Sequence, residues 1–424
     1  MPKFRGGVHP KQYKLTASKP IERAKLPEKV IIPLKQHVGA PCEPLVKVGD
    51  EVKAGQKIGD SSAKVSAPVH ASISGTVERI STELSPSGEF VTCITIRSNR
   101  RDEWVSLPPL EDSSSKEVLL ERIREAGIVG MGGAGFPTHI KLNPPKPVHT
   151  LLVNGVECEP YITSDHRLML EHSEEIAEGA KIAARILGVQ RVIVAVEDNK
   201  PDAAKKMEEV MKGFAEVVVL KTRYPRGDER HLIKSVLGVE VPAGGLPFDV
   251  GVVVQNVATL KAISDAVKGK PLVERVVTVT GDVAEPKNLM VRVGTLLSDL
   301  LQQCGGATKG PAKLIAGGPM MGVALSADAP VAKTTGCVLV MGEVKEEREG
   351  PCIRCGKCVE VCPMGLMPTI LAKLVRAGRY EDALAGNILS CDECGCCAYI
   401  CPSRIPLVQI MRTGKLKASA LVKR

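Results

Sequence analysis

The chain has 424 residues, of which 44% are hydrophobic, and it carries a formal net charge of +9. At roughly 150 residues per domain this length suggests two or three domains, and the apolar content excludes disorder and collagen-like order. Only 3% of the residues are aromatic. The basic chain therefore lacks the stacking platforms of nucleic-acid grooves, and we expect no nucleic-acid partner.

The sequence shows no sign of a membrane span or of a signal peptide. No uninterrupted stretch approaches about 18 apolar residues. The segment Met1–Pro10 carries charges and glycines where a signal peptide needs an apolar run. We therefore expect a soluble protein that is not exported.

The first segment predicts a small flattened barrel. Between about Pro27 and Arg97, short β-type runs alternate with turns such as Gly49-Asp50 and Gly55-Gln56. This pattern resembles the barrel-sandwich fold of biotinyl and lipoyl carrier domains. Lys64 lies near the position at which those carriers attach their prosthetic group, but it lacks the neighbours of a carrier lysine. A structural barrel is therefore favoured over an attachment site.

The middle of the chain predicts an open sheet with helices on its faces. From Ser113 to Gly269, helical periodicity at Lys116–Ala126 and Leu168–Leu187 alternates with β-branched runs. Those runs are Arg191–Val196, Val217–Leu220 and Gly251–Val254. Such alternation is typical of a mainly parallel sheet.

A small third domain is predicted between Pro271 and Met341. This region combines a strand at Val276–Thr280, a helix at Thr295–Cys304 and further strand-like runs. The charged stretch Glu343–Glu349 that follows predicts a linker.

Cysteines dominate the last region of the chain. Nine of the 14 cysteines lie between Cys352 and Cys401, which in a protein that is not exported indicates metal binding rather than disulfides. Eight of them repeat a pattern with intervals of two, two and three residues: Cys352, Cys355, Cys358 and Cys362, then Cys391, Cys394, Cys397 and Cys401. This doubled spacing is typical of a two-cluster ferredoxin. Zinc is the disfavoured alternative, because a single zinc site needs only four thiolates.

The spacing also predicts which cysteines share a cluster. Three thiolates on one loop can hold three corners of a cubane, whereas the fourth cysteine points toward the other cluster. The ligands of one 4Fe-4S cluster are then Cys352, Cys355, Cys358 and Cys401. The ligands of the other are Cys391, Cys394, Cys397 and Cys362. Cys396 falls out of this register and is expected to be a packed thiol, and Thr369–Leu389 is expected to connect the two motifs as helix.

The tail after Cys401 contains six basic residues and no acidic one. Such a charge run predicts either a solvated end or a docking surface. In the docking interpretation, Leu407, Val408 and Ile410 pack on a partner subunit while the charges approach an anionic membrane.

A glycine-rich loop predicts a cofactor site. Gly130, Gly132, Gly133 and Gly135 lie close together after the helix that ends near Ala126. Their backbone N–H groups remain accessible to a phosphate or a flavin ring. No strand immediately precedes the loop, so it is not a Rossmann fingerprint.

Further motifs accompany this loop along the chain. They are Asn154-Gly155-Val156-Glu157-Cys158-Glu159-Pro160, Tyr224-Pro225-Arg226-Gly227-Asp228-Glu229 and Gln255-Asn256-Val257-Ala258-Thr259. In this order the set resembles the flavin-binding and NADH-binding subunit of respiratory complex I. The first segment adds Phe4-Arg5-Gly6-Gly7-Val8-His9-Pro10 and Ala67-Pro68-Val69-His70-Ala71. Together with the ferredoxin motifs, the chain from about residue 4 to residue 402 is similar to the C subunit family of the Rnf electron transport complex.

The resemblance implies a multidomain α/β fold in four parts. The parts are an N-terminal barrel-sandwich hybrid domain at 1–110, an open α/β flavin and nucleotide domain at 111–270, a small β-grasp domain of the SLBB type at 271–342, and a helical two-cluster ferredoxin domain with the basic tail at 343–424.

The resemblance also implies sites for FMN and NADH. The four glycines of the loop would line the FMN. Residues expected at its phosphate are Lys141, Asn256 and Thr259. Residues expected at its ring and ribityl chain are Asn154, Tyr224, Gly227 and Asp228. Phe136 would stack on the NADH adenine, and Glu159 and Glu229 would be the catalytic pair on the nicotinamide side. Val156 replaces an aspartate of the complex I subunit and removes a hydrogen bond to the flavin.

The function that the resemblance implies is that of a peripheral subunit of a membrane-bound, ion-translocating complex. It would oxidise NADH at FMN and pass electrons through two 4Fe-4S clusters between NAD(H) and ferredoxin, as an NADH:ferredoxin oxidoreductase subunit of a translocase. Its partners would be a ferredoxin-like B subunit and integral membrane subunits at the cytoplasmic face of the cell membrane. Two alternatives stay open: an electron-wire and docking subunit with a decayed flavin site, and a cobalamin reductase of similar domain make-up.

Overall fold

The computed structural model describes residues 4–310, 313–342 and 348–422. After strand β1 (Ile21–Arg23), the chain forms a barrel of short strands. These strands are β2 (Lys29–Pro33), β3 (Glu43–Pro44), β4 (Glu51–Val52), β5 (Lys57–Asp60), β6 (Val69–His70), β7 (Gly75–Leu84) and β8 (Phe90–Ser98). They make two antiparallel sheets with the orders β2-β8-β7-β4 and β3-β5-β6. Ile32, Ile94 and Ile96 are fully buried between the sheets, and the predicted barrel is confirmed.

The second region is an α/β domain. Its elements are α1 (Lys116–Glu125), α2 (Thr138–Lys141), β9 (Thr150–Gly155), α3 (Ser164–Glu171), α4 (Ser173–Leu187), β10 (Arg191–Glu197), α5 (Pro201–Val210), β11 (Glu216–Leu220), α6 (Glu229–Leu237), a 3₁₀ turn (Pro247–Val250), β12 (Val252–Asn256) and α7 (Val257–Val267). All neighbours in the β11-β10-β9-β12 sheet are parallel. The carboxyl ends of the strands therefore share one edge, at which Asn154 and Asn256 are register partners.

The single helix predicted at Leu168–Leu187 is wrong in one respect. The structure has two helices, α3 and α4, which meet at His172. The backbone at His172 has φ −130° and ψ 32°, outside the α-helical region. The apolar periodicity continues across the break because both helices pack on the same core.

The third region contains β13 (Glu274–Gly281), β14 (Lys287–Arg292), α8 (Leu297–Gln303), β15 (Lys313–Ala316), β16 (Val323–Leu325) and β17 (Cys337–Met341). Its mixed sheet has the order β1-β14-β13-β17-β15-β16. Strand β1 thus pairs with this domain rather than with the barrel. The Asn288 side chain secures the connection by donating hydrogen bonds to the carbonyls of Thr16 (2.9 Å) and Lys19 (3.1 Å). The predicted 1–110 segment therefore includes a strand that lies outside the barrel.

The last region is helical, as expected. It contains α9 (Lys357–Glu360), α10 (Pro368–Arg376), α11 (Tyr380–Ala385), a 3₁₀ turn (Ile388–Ser390), α12 (Cys396–Ile400) and α13 (Leu407–Val422). Of the predicted linker, residues 343–347 lie outside the described residues, and Glu349 forms an ion pair with Arg376 at 2.7 Å. Among the helices in the described ranges, none has both the length and the hydropathy that a membrane span needs.

The tail is not a solvated end, and its apolar residues do not form the expected docking patch. Residues 407–422 form α13, and its buried face packs on α10 and α11. Leu407 and Val408, expected as an apolar patch for a partner, are 2% and 9% exposed. The helix therefore uses these side chains to complete its own domain.

Candidate active site

A cavity of about 870 Å³ lies beside β12 and reaches the carboxyl end of β9. Ligands of open parallel sheets bind at such strand ends. The structure brings most of the expected flavin and nucleotide residues to its wall: Gly130, Gly132, Gly133, Gly135, Phe136, Lys141, Asn154, Gly227, Asp228, Glu229, Asn256 and Thr259. Tyr224 and Glu159 do not line the cavity.

The glycine-rich loop forms one side of this cavity. The Gly130 N–H donates to the Phe136 carbonyl at 2.9 Å, and the Met131 N–H donates to the Thr259 hydroxyl at 3.0 Å. A Cβ atom built on Gly133 would meet no atom within 4 Å. The loop is thus held at its base while Gly133 leaves open space for a flat ring.

The amino-terminal end of α7 contributes the residues expected at a phosphate. The Asn256 side chain accepts from the Ala258 N–H at 2.9 Å and donates to the Asp165 carboxyl at 2.7 Å. Helix amino termini favour bound anions through their free N–H groups and dipole. Burial raises the pKa of Asp165 to about 7, which reduces the negative charge beside this helix end at neutral pH.

The opposite wall is built around the start of α6. The Asn154 amide donates to the Gly227 carbonyl at 2.8 Å and so joins the end of β9 to the turn before α6. Asp228 caps this helix by accepting from the Arg230 N–H at 2.9 Å, and burial raises the pKa of the Asp228 carboxyl. The Lys141 ammonium forms an ion pair with Glu229. Both acidic residues are therefore held in place by polar contacts.

Two residues of the wall have buried nitrogen atoms that lack a hydrogen-bond partner among the described residues. They are Gln255 Nε2 and His139 Nδ1. Burial lowers the pKa of His139 to about 4, so the ring is neutral at pH 7. Unpaired buried polar groups cost about 1–3 kcal/mol each, and a bound cofactor would supply partners. The wall therefore fits a polar ligand such as FMN.

Sequence-based reasoning gave neither residue a role in the site, although Gln255 belongs to one of the motifs that carry the resemblance. Neither lies in a spacing that indicates a triad or a metal site. The available signal was position, because Gln255 precedes Asn256 at the end of β12 and His139 lies two residues before Lys141.

The structure places Glu159 away from the cavity. Its carboxyl accepts hydrogen bonds from the backbone N–H groups of Met320 (2.7 Å) and Met321 (3.1 Å) in the third domain. Burial raises the pKa of Glu159 to about 7. In this arrangement Glu159 anchors a loop, and the expected position on the nicotinamide side is not observed.

Tyr224 is also displaced from its expected position. The side chain is 1% exposed and lies in an apolar cluster with Val156, Cys158 and Cys396. It therefore packs between the parallel sheet and the cysteine domain. Val156 is fully buried in the same cluster and does not line the cavity, so its side chain leaves the wall of the cavity unaltered.

A second, smaller cavity lies in the cysteine domain. Its wall contains five cysteines, the four assigned to one cluster (Cys362, Cys391, Cys394 and Cys397) and Cys396. Val408 and Met411 of α13 line the same cavity. Cys362, from the first motif, thus joins three cysteines of the second motif, and four convergent thiols fit a 4Fe-4S cluster.

The thiols assigned to the other cluster are also neighbours. Cys352, Cys358 and Cys401 pack around Ile405 and Leu407. Burial raises the pKa of Cys358, and the charges of Cys355 and Cys401 raise it further. Cys355 is exposed, whereas Cys396 is buried as expected for a packed thiol. The first cluster would thus lie closer to the protein surface.

Three side chains lie between the large cavity and the second cysteine cavity. His231, in the first turn of α6, lies 3.0 Å from the Asp392 carboxylate and 3.9 Å from that of Asp228. Asp228 lines the large cavity, and Asp392 lines the cysteine cavity. One short set of side chains therefore connects the two sites.

Models of four protein families match the chain in the order of its domains. They are the RnfC barrel sandwich hybrid domain at residues 2–101, the Nuo51 FMN-binding domain at 123–265, the SLBB domain at 276–324 and the 4Fe-4S dicluster domain at 351–405. The FMN-binding match includes most residues that line the large cavity, and the dicluster match spans both cysteine motifs.

Three similar proteins extend over most of the chain, and each is the C subunit of an oxidoreductase complex. That of the proton-translocating ferredoxin:NAD⁺ oxidoreductase complex of Clostridium ljungdahlii is 49% identical, over 90% of this chain and 86% of that protein. The C subunit of the ion-translocating oxidoreductase complex of Rhodobacter capsulatus is 44% identical, over 98% of this chain and 83% of that protein. The C subunit of the Na⁺-translocating ferredoxin:NAD⁺ oxidoreductase complex of Acetobacterium woodii is 42% identical, over 97% of this chain and 96% of that protein.

Proposed function

Because the chain belongs to the C subunit family of ion-translocating ferredoxin:NAD⁺ oxidoreductase complexes, we propose that it is the subunit at which such a complex exchanges electrons with NAD(H). Its cofactors are FMN and two 4Fe-4S clusters. The observation that carries the proposal is the set of Asp228, His231 and Asp392, which links the large cavity to the cavity lined by the cysteines of one cluster.

Different residues of the cavity would bind different parts of the cofactors. When bound, FMN takes two electrons from a nicotinamide and releases them singly, which iron-sulfur clusters require. The open side of Gly133 would admit the ring, and Asn256 with the start of α7 would hold the phosphate. The Asn154 contact with Gly227 fixes the wall on which Asp228 and Glu229 lie.

The complex that this subunit joins is a membrane-bound translocase in the proposal. The expected partners are a ferredoxin-like B subunit and integral membrane subunits, and the expected location is the cytoplasmic face of the cell membrane. Exposed Cys355 supports electron exchange with a partner at the protein surface. A peripheral position agrees with the finding that no helix of the described residues could span a membrane.

No observation favours the two alternative functions. The electron wire with a decayed flavin site rests on Val156, which lies outside the cavity wall. The cobalamin reductase alternative shares the same domain make-up and would require corrinoid reduction by NADH.

Anaerobic reconstitution followed by titration with NADH tests the proposal. We expect bleaching of both flavin and iron-sulfur absorbance in protein that contains FMN, and no bleaching of the clusters in flavin-free protein. Cluster reduction by NADH without FMN would contradict the proposed function, as would failure of the reconstituted chain to bind FMN.

A further inference from the structure

The barrel forms part of the wall of the large cavity. The loop between β5 and β6 is fixed against the end of α1, because Lys57 forms an ion pair with Glu125 and Arg124 pairs with Asp60 at 3.0 Å. This loop carries Lys64, which lines the cavity.

A second part of the barrel packs behind the glycine-rich loop. A Cβ atom built on Gly135 would lie 3.1 Å from the Gln36 carbonyl and 3.3 Å from the Cα of His37. The barrel therefore packs tightly against the loop at Gly135, whose φ of +72° also favours glycine. The Lys64 loop and the glycine-rich loop are thus two walls of one site.

Among the described residues, Lys64 is a cation of this wall that has neither an ion pair nor a hydrogen bond to a fixed acceptor. Lys141 is paired with Glu229, and the Arg230 guanidinium donates to the carbonyls of Pro242 (3.4 Å) and Gly245 (2.8 Å). In the described part of the chain, no carboxylate lies within ion-pair distance of the exposed Lys64 ammonium. The ammonium therefore remains available to an anion that enters the cavity.

The neighbouring wall is negatively charged, so an anionic ligand needs a cation such as Lys64 nearby. Glu117 and Glu121 of α1 line the same cavity, and their negative charges oppose a phosphate. An ammonium beside them offsets that repulsion and offers three hydrogen-bond donors.

We propose that Lys64, on the barrel, binds a phosphate group of a nucleotide cofactor in the large cavity. This inference rests on the proposed function, because it assumes that the cavity holds FMN and NADH. Carrier domains attach their prosthetic group covalently at this position of the loop between β5 and β6. In this chain the same position binds a phosphate non-covalently. The barrel is then part of the cofactor site rather than a separate structural module.

Binding measurements on the full chain with reconstituted clusters test this role. The variants are Lys64→Ala and Lys64→Glu, and the matched control is Lys47→Ala, an exposed lysine of the barrel that does not line the cavity. Flavin-depleted protein is titrated with FMN and with riboflavin by flavin fluorescence. The KM for NADH is then measured on FMN-loaded protein with ferricyanide as the acceptor.

Loss of the ammonium should weaken binding of one phosphate-bearing cofactor by about 5- to 10-fold, more for Lys64→Glu, and the difference should shrink at high salt. A higher Kd for FMN with unchanged riboflavin affinity assigns Lys64 to the flavin phosphate. A higher KM for NADH with unchanged FMN affinity assigns it to the dinucleotide phosphates.

Three results would overturn the inference. Equal loss of FMN and riboflavin would mean that Lys64 only shapes the loop. Unchanged FMN affinity and NADH KM in both Lys64 variants would mean that the lysine is merely exposed, while the proposed function would stand. If the wild-type chain itself fails to bind FMN, the proposed function falls and this inference falls with it.

Discussion

The hydroxyl of Tyr224 donates a hydrogen bond of 2.7 Å to the carbonyl oxygen of Cys394. Cys394 is an expected cluster ligand, and Tyr224 belongs to the nucleotide domain. Met320 of the third domain packs in the same apolar cluster. Three domains therefore meet at the ligand loop of the second cluster.

We expect Tyr224→Phe to loosen this ligand loop. The variant leaves the Cys394 carbonyl without its partner, which costs about 1–3 kcal/mol when the group stays buried. Iron release to a chelator should be faster than in the wild type, and FMN affinity should change little. Tyr399→Phe, at a side chain that is 46% exposed, is the control. Equal release rates for Tyr224→Phe and the control would contradict a role for the hydrogen bond.

Gly133→Val should block flavin binding without disturbing the fold. The new side chain would point into open space where the ring is expected. We expect the Kd for FMN to rise about 10- to 100-fold, the equivalent of a typical overpacking penalty. Fluorescence titration measures the Kd, and iron content serves as the control because both clusters should remain. Normal FMN affinity would place the ring elsewhere.

Cys362→Ala should remove one cluster and spare the other. Cys362 lies in the cavity formed with Cys391, Cys394 and Cys397. Iron and sulfide should fall from about eight to about four of each per reconstituted chain. Cys304→Ala, at a buried cysteine of the third domain, should retain both clusters. Loss of the cluster held by Cys352, Cys355 and Cys358 instead would refute the crossed assignment.

Gly414→Ala should destabilise the cysteine domain. A Cβ at Gly414 would collide with Val375 and lie 2.6 Å from Ile388. Overpacking costs about 1–3 kcal/mol, which exceeds the roughly 1 kcal/mol that alanine gains over glycine in a helix. The iron-sulfur absorbance should therefore be lost at a lower temperature. Lys417→Ala, on the exposed side of the same helix, should leave that temperature unchanged.

The Glu159 carboxyl should make stability depend on pH. Its pKa is raised from 4.5 to about 7 by burial, so between these values the folded chain holds a proton that the unfolded chain has released. Stability is therefore lost as pH rises through this window, by at most about 3 kcal/mol. Thermal unfolding of wild type and Glu159→Gln, compared from about pH 5 to about pH 8, measures the difference. If the stability difference between wild type and Glu159→Gln stayed constant with pH, the raised pKa of Glu159 would be contradicted.

The sequence predicted those parts of the fold that local periodicity encodes. The β-branched runs of the middle domain became β10, β11 and β12 nearly at the expected residues. The pairing of β1 with β14 could not be predicted, because no local pattern specifies a partner so far along the chain. In α13, Leu407, Met411, Gly414 and Ala418 follow helical spacing, but the charges between them obscure the apolar face.

The candidate site was predictable where motifs end strands or begin helices. Asn154, Asn256 and Asp228 occupy such positions and reach the cavity. The motif that contains Glu159 does not indicate which way the Glu159 side chain points. Glu157 has a φ of +48° and turns the chain, and the donors that bind Glu159 come from Met320 and Met321 of another domain.

The place of β1 in the sheet has a consequence for synthesis on the ribosome. Ile21 pairs with Asn288, and a ribosome adds about 5–20 residues per second. The first strand therefore waits on the order of tens of seconds for β14, while the barrel that follows it can already close. During that delay β1 is an unpaired edge, which neighbouring nascent chains could extend. Slower translation would prolong the exposure, so the yield of folded protein should depend on the speed of elongation between the barrel and β14.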